Sequence, residues 1–238
     1  MSIKAVLFDL DGTLLPMDQD EFVKTYLGLL GKRLVPKGYE FEKFAKVMWA
    51  GVGAMVNNDG SCTNEERFWK VFTEAFGDRA LEDKPFIDEF YHTEFNKVQA
   101  VCSFNPMAKE VVELVKEKGA LPVLATNPLF PHTATENRMR WAGLEPEMFA
   151  AYTTYEDCHY CKPNPKYYEE LLQKLGLKPE ECLMVGNDFD EDIVPTESLG
   201  MKTFLLTDCL INKKGQDISA YPQGRFEGLK KYLENILK

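Results

Sequence analysis

Five short apolar runs constrain this chain most: AVLF (5–8), LPVLA (121–125), FAAYTTY (149–155), CLMVG (182–186) and KTFLL (202–206). Most are continuous rather than alternating in polarity, the pattern of parallel strands covered on both faces. Helical patterns lie between them. MAKEVVELVKEKG (107–119) has apolar residues at 107, 111, 112, 114 and 115 and ends in a glycine stop. PKYYEELLQKLG (165–176) starts with proline in its first turn and also ends in glycine. GRFEGLKKYLENILK, at the C-terminus, reads as a closing amphipathic helix. Strand–helix alternation from about residue 100 onward predicts an open α/β sheet.

The segment between Leu15 and about Gln99 departs from that alternation. DQDEFVKTYLGLLGKRL, FEKFAKVMWAGVGAMV, NEERFWKVFTEAFG and PFIDEFYHTEF read as amphipathic helices without a buried strand. The expected organisation is a three-layer α/β core made of residues 1–15 and 97–238, with residues 16–96 forming a smaller all-helical unit. Trp49, Phe68, Trp69 and Phe72 of that unit are expected in its core. An apolar share of 45% over 238 residues supports cores of this size.

A formal net charge of −10 argues against a nucleic-acid backbone or an anionic membrane as partner. No segment approaches the roughly 18 continuous apolar residues of a membrane span. Asp9 and Asp11 interrupt the first apolar run too early for a signal peptide. The six cysteines are dispersed, and reduced thiols in a cytoplasmic protein are the expectation. Cys158-His159-Tyr160-Cys161 lacks a second pair at zinc-site spacing and precedes Lys162-Pro163 in a loop, so two unpaired thiols are expected. His92, His132 and His159 share no ligand spacing.

Ligands of open parallel sheets bind beyond the carboxyl ends of the strands. There, AVLF is followed by Asp9-Leu10-Asp11-Gly12-Thr13, LPVLA by Thr126-Asn127, and CLMV by Gly186-Asn187-Asp188-Phe189-Asp190-Glu191-Asp192. Cys161-Lys162-Pro163-Asn164-Pro165 stands just before a helical pattern. In a parallel sheet the two acidic clusters, the threonine and the lysine converge at one edge. Two carboxylates one residue apart repel, which is costly unless a cation or a chemical task requires them. A calcium loop does not account for either cluster, because the sixth position is Leu14 counting from Asp9 and Ile193 counting from Asp188, where an EF-hand needs glycine.

These four stretches carry a resemblance to the haloacid dehalogenase-like (HAD) hydrolase superfamily over essentially the whole chain. DLDGTLL is similar to the family's first motif, LATN to the second, CKPNP to the third and GNDFDED to the fourth, in the family's order. The resemblance implies that Asp9 attacks phosphorus to form an aspartyl-phosphate, splitting one displacement into two. It implies that Asp11 protonates the leaving oxygen and then deprotonates water. Gly12 would let backbone amides approach the phosphate, with Thr126 and the Asn127 amide binding phosphate oxygens and Lys162 supplying fixed positive charge. Mg²⁺ would be held by Asp9, the Asp11 carbonyl and Asp188. Many relatives have aspartate directly after the glycine of the fourth motif, where this chain has Asn187. Asp188 is therefore given the metal, Asp192 a supporting role and Asn187 that of a lesser candidate ligand.

About 110 residues separate the first and second motifs, and only 35 (127–161) separate the second and third. This resembles relatives with a helical cap after the first strand, hinged here at residues 14–18 and about 95–103. The resemblance implies a Mg²⁺-dependent phosphatase acting on a small phosphorylated metabolite. A phosphotransferase or mutase would use the same Asp9 chemistry, and a non-catalytic metal-binding module is the alternative outside enzymes. A haloalkanoate dehalogenase is disfavoured because relatives of that type lack the metal and the acid–base residue that Asp11 supplies. Lys32, Arg33, Asn57, Asn58 and Arg67 are candidate substrate contacts in the cap, without a physical ranking. Oligomeric state is not legible.

Overall fold

In the computed structural model, residues 2–237 are described. β1 (Ala5–Phe8) is the centre of a parallel sheet with β2 (Leu121–Leu124), β3 (Ala151–Tyr152), β4 (Cys182–Gly186), β5 (Lys202–Leu206) and β6 (Gln223–Gly224). The strand order is β3-β2-β1-β4-β5-β6. β1 lies between β2 and β4, with Phe8 opposite both Leu124 and Val185, so three motifs leave the sheet side by side.

The continuous apolar runs reflect burial on both faces. Val6 and Phe8 enter the larger core with Leu183, Val185, Phe204 and Leu206. That face is covered by α6 (Met107–Glu117) and α10 (Phe226–Ile236) through Val111, Val112, Phe226 and Leu229. Ala5 and Leu7 point the other way and pack with Met184 against Tyr167, Tyr168 and Leu171 of α8 (Pro165–Leu175). The three layers follow from the period-two alternation of side chains along each strand.

Between β1 and α6 the chain forms α1 (Gln19–Leu34), α2 (Phe41–Val56), α3 (Asn64–Phe76), the short α4 (Arg79–Glu82) and α5 (Lys84–His92). Asp18 caps α1 by accepting from the Glu21 amide, and Thr63 with Glu66 forms a capping box on α3. The fourth expected helix stops at Thr93, and Glu94–Val101 continues as 3₁₀ turns. The chain enters and leaves this segment side by side: Met17 bridges to Cys102 in antiparallel fashion and the Ser103 amide donates to the Pro16 carbonyl at 2.8 Å.

Trp69 and Phe72 are buried and Phe68 is partly buried, but Trp49 is 56% exposed, a correction to its expected place in the core. The buried stripe of α2 is Phe44, Met48, Gly51 and Met55, and Trp49 lies about 100° round the helix from Met48. The run at 149–155 yields only a two-residue strand. After Tyr152 the chain turns off the sheet, with the Thr153 hydroxyl bonding the Thr126 carbonyl at 2.7 Å and the Tyr155 amide the Phe130 carbonyl at 3.1 Å. Two further helices, α7 (His132–Trp141) and α9 (Val194–Ser198), complete the chain. No helix is long and apolar enough to cross a membrane among the described residues.

Candidate active site

β1 ends at Phe8, and the chain turns sharply at Gly12, whose φ is +88°. A Cβ at Gly12 would also collide with the Asn187 side chain, so both backbone conformation and close approach require glycine. This turn brings Asp9, Asp11 and Thr13 against the ends of β2 and β4. Asp9 is buried, with Oδ1 accepting from Lys162 Nζ at 2.8 Å and Oδ2 near Thr13 Oγ1 at 3.0 Å. Thr13 Oγ1 also lies 2.9 Å from Asn187 Oδ1, and its one proton serves either acceptor.

Lys162, 1% exposed, is shared by two carboxylates, since its Nζ also donates to Asp192 Oδ1 at 2.7 Å. Burial works to lower the lysine's pKa, but Asp192 and then Asp9 outweigh it and hold the ammonium well above its ordinary range. Burial pushes the Asp192 carboxyl up, against the pull of that same ammonium. Asp192 Oδ2 accepts from the Asp188 amide at 3.0 Å, and Gly186 must lack a side chain because a Cβ there would strike Asp192. Residues Phe189–Ile193 make one π-helical turn, capped by Asp188 Oδ1 on the amides of Asp190 (2.9 Å) and Glu191 (3.0 Å). Burial raises the pKa of Asp188, and those two amides oppose the rise.

Asp188 Oδ2 receives no hydrogen bond from the described side chains or amides, whereas Asn187 is occupied at both ends: its Oδ1 faces Thr13 and its Nδ2 donates to the Cys209 carbonyl at 2.7 Å. The Asp9 and Asp188 carboxylates with the Asp11 carbonyl are hard oxygen donors of the kind Mg²⁺ prefers. The carbonyl has only a long 3.4 Å contact from Gln19 Nε2, and each Asp9 oxygen retains a lone pair beyond the bonds it makes. These donors fit that ion with water completing its shell. Among the described residues there is no cluster of three or more His, Cys, Asp or Glu side chains arranged to hold a metal.

Thr126 is buried at the end of β2, its carbonyl accepting from Thr153 Oγ1 at 2.7 Å and Tyr167 Oη at 2.9 Å. Asn127 Nδ2 donates to Glu191 at 3.1 Å, and Asn127 Oδ1 is buried without a partner among the described residues. Asp11 has the same half-used character. Its Oδ2 pairs with Arg138 of α7, while Oδ1 is buried without a partner among the described residues. Burial pushes the Asp11 pKa up, Arg138 pulls it down and neighbouring Asp9 pushes it up again.

Five of these residues were given no role from the sequence: Arg138, Thr13, Glu191, Thr153 and Tyr167. Thr13 and Glu191 were visible inside the first and fourth motifs. Arg138 has no sequence signal, because α7 buries Ala134, Thr135, Arg138, Met139 and Trp141, a face in which polar residues interrupt the helical periodicity of the apolar ones.

The candidate cap contacts divide. Arg33 is spent on Glu94 (2.8 Å) and the Phe86 carbonyl (2.9 Å), Asn57 bonds the Gly53 carbonyl of its own helix, and Lys32 is exposed. Asn58 and Arg67 do reach toward the core, through Asn64. Asn58 Nδ2 donates to Asn64 Oδ1 at 2.9 Å and Arg67 Nη2 to Asn58 Oδ1 at 3.0 Å. Asn64 Nδ2 in turn lies 3.2 Å from Cys161 Sγ and 3.3 Å from the Tyr160 carbonyl, beside Lys162. Cys158 and Cys161 are buried free thiols; His132 and His159 pair with Glu156 and Glu170. An apolar cavity of about 120 Å³, walled by Tyr26, Leu30, Trp69, Phe130 and Tyr155 among others, lies between the helical segment and the core loops after β2 and β3, and neither Asp9 nor Asp11 lines it. An open cleft of about 590 Å³ between the start of α1 and residues 209–213 reaches Asn187.

A family model for haloacid dehalogenase-like hydrolases matches residues 3–200. The chain belongs to this family. It is 28% identical over 203 residues to the pyrophosphatase PpaX of Bacillus cereus (strain AH820), covering 85% of this chain and 82% of that protein. It is 26% identical over 227 residues to the glyceraldehyde 3-phosphate phosphatase of Methanothermobacter thermautotrophicus, covering 91% and 94% respectively. Among solved structures, the 2-haloacid dehalogenase of Pseudomonas syringae pv. tomato DC3000 aligns with a TM-score of 0.65 at 18% identity, covering 98% of this chain and 99% of that one. At that identity the likeness shows the fold alone; HAD hydrolases of different activities share it.

Proposed function

We propose that this HAD hydrolase is a Mg²⁺-dependent phosphatase of a small phosphorylated metabolite, working through a phosphoryl group carried on Asp9. The observation that carries this reading is the Asp9 carboxylate, oriented by Lys162 and Thr13 at the strand ends with Asp11 beside it. An Asp9 oxygen forms the new bond to phosphorus while the bond to the leaving oxygen breaks, and Asp11 gives that oxygen a proton. Asp11 then takes a proton from water as water displaces Asp9 from phosphorus. Lys162 keeps a fixed positive charge beside the carboxylate, and Thr126 with the Asn127 amide binds the transferred phosphoryl oxygens. Asp9, Asp188 and the Asp11 carbonyl would hold Mg²⁺, which when bound supplies the charge that lets a phosphate dianion approach two carboxylates. Asp192 supports Lys162, and Asn187 holds Thr13 rather than the metal.

Residues 16–96 act as a cap over this site, turning about the bridged pair of chain segments at Met17 and Cys102 and excluding water when closed. The phosphatase names of the two curated relatives favour hydrolysis over transfer to an acceptor hydroxyl, and Asp11 favours it over dehalogenation. The dispersed free cysteines support a cytoplasmic protein.

The test is phosphate release from 4-nitrophenyl phosphate and from a panel of phosphorylated metabolites, with Mg²⁺ and with chelator, beside Asp9→Asn. Release that needs the metal and vanishes in the variant supports the reading. Binding of Mg²⁺ with no release from any phosphate would redirect it toward phosphotransfer to another acceptor or a binding role.

A further inference from the structure

Arg138 is a guanidinium with no solvent exposure, a costly placement unless the charge is paired. Most of its donors only brace it. Nε donates to the Ala134 carbonyl at 3.2 Å and Nη2 to Thr135 Oγ1 at 3.2 Å, both within α7, and the Phe130 ring lies 4.4 Å from the guanidinium carbon. The one carboxylate that meets it among the described residues is Asp11, through Nη1 and Oδ2. The other Asp11 oxygen, Oδ1, is buried and has no hydrogen-bond partner among the described residues. The carboxyl is thus gripped at one oxygen, while the other is buried with its hydrogen-bonding capacity unused among the described residues.

We propose that Arg138 is the positioning residue for Asp11, gripping Oδ2 so that Oδ1 faces the reacting oxygen. This rests on the phosphatase reading of the site. Its role is confined to aim: as the phosphorus–oxygen bond to the leaving group breaks and the bond to Asp9 forms, the proton passes from Asp11 Oδ1 to the leaving oxygen. Braced by its own helix and by Phe130, the guanidinium holds one orientation, which a lysine's single point charge would not reproduce. Residues 130 and 138 thereby tie the loop after the second motif to the acid–base group of the first.

The experiment compares kcat/KM for phenyl phosphate and 4-nitrophenyl phosphate in Mg²⁺, using wild type, Arg138→Met, Arg138→Lys and Asp11→Asn. Phenolate leaves poorly without a proton, whereas 4-nitrophenolate needs little help. A misaimed acid should therefore cost phenyl phosphate about 10²-fold, the lower end of what general acid catalysis provides, and 4-nitrophenyl phosphate several-fold less. Asp11→Asn should change the ratio of the two substrates in the same direction, and Arg138→Lys should do so to a smaller extent. Equal losses on both esters, or no loss, in a folded Arg138→Met would mean that the arginine only braces α7 and would overturn the proposal. Should Arg138→Met fail to fold by circular dichroism, an unchanged ratio in Arg138→Lys overturns it instead. Wild type releasing no phosphate from either ester or from any member of the metabolite panel removes the phosphatase reading itself. Wild-type turnover with an unchanged ratio in the variants removes only the role of Arg138.

Discussion

At the scale of single residues, the site is a balance of buried charge. One ammonium, Lys162, neutralises part of two carboxylates, and its side chain and that of Asp192 are each 1% exposed. Removing one member of such a set strands the others without counter-charge. Lys162→Met should lower stability by about 3–5 kcal/mol in urea denaturation; a change within about 0.5 kcal/mol would mean the carboxylates are not held charged by it. The same physics explains which residues were legible beforehand. Asp9, Asp11, Thr126, Lys162 and Asp188 stand in contiguous strings directly after apolar runs or before a helix, so strand order alone brings them together. Arg138 is brought in by the packing of a helix whose buried face is half polar, and no periodicity reports it.

At the scale of elements, the helical segment is joined to the core by a small polar joint and a larger aromatic one. The start of α3 carries the first. Asn64 is fully buried, and its amide donates to the Cys158 carbonyl at 2.8 Å while its side chain reaches Tyr160 and Cys161. The second packs Phe22 and Tyr26 edge-to-face, and Phe95 at a tilt, against Phe130, with the Phe95 ring centre also 5.1 Å from that of Trp141. Asn64→Ala should cost about 1–3 kcal/mol by leaving buried carbonyls unpaired, and should speed amide hydrogen exchange across Tyr155–Cys161. Unchanged exchange there would show that the aromatic joint alone holds the segment. Elements with long single-period patterns were readable, including α3, α6, α8 and α10. β6 was not, since two residues, Gln223 and Gly224, at a sheet edge carry no apolar signal. The break after α5 was equally hidden, because Glu94–Val101 still buries Phe95 and Val98 and so imitates the pattern of the helix before it.

At the scale of the whole molecule, the parallel order places β1 between β2 and β4, so the first, second and fourth motifs emerge from three adjacent strands. That geometry follows from the apolar runs and sets Asp9 and Asp188 just beyond the ends of adjacent strands, where the proposed cation site lies. A ligand that binds only the folded state stabilises it by mass action, about 2.7 kcal/mol at a hundred times its Kd. Mg²⁺ should therefore raise the melting temperature of the wild type and leave Asp188→Ala unmoved; equal shifts in both would place the ion elsewhere. Against a net charge of −10, Lys162 and Arg138 are a lysine and an arginine buried beside the Asp9 and Asp11 carboxylates. The central claim is that Asp9 carries the phosphoryl group. Turnover of 4-nitrophenyl phosphate in Mg²⁺, stopped in acid and followed by peptide mass analysis, tests it directly. The account predicts one added phosphoryl group on the peptide containing Asp9, at that residue and absent from Asp9→Asn. Active turnover with the phosphoryl group on another side chain, or full activity in Asp9→Asn, would contradict it.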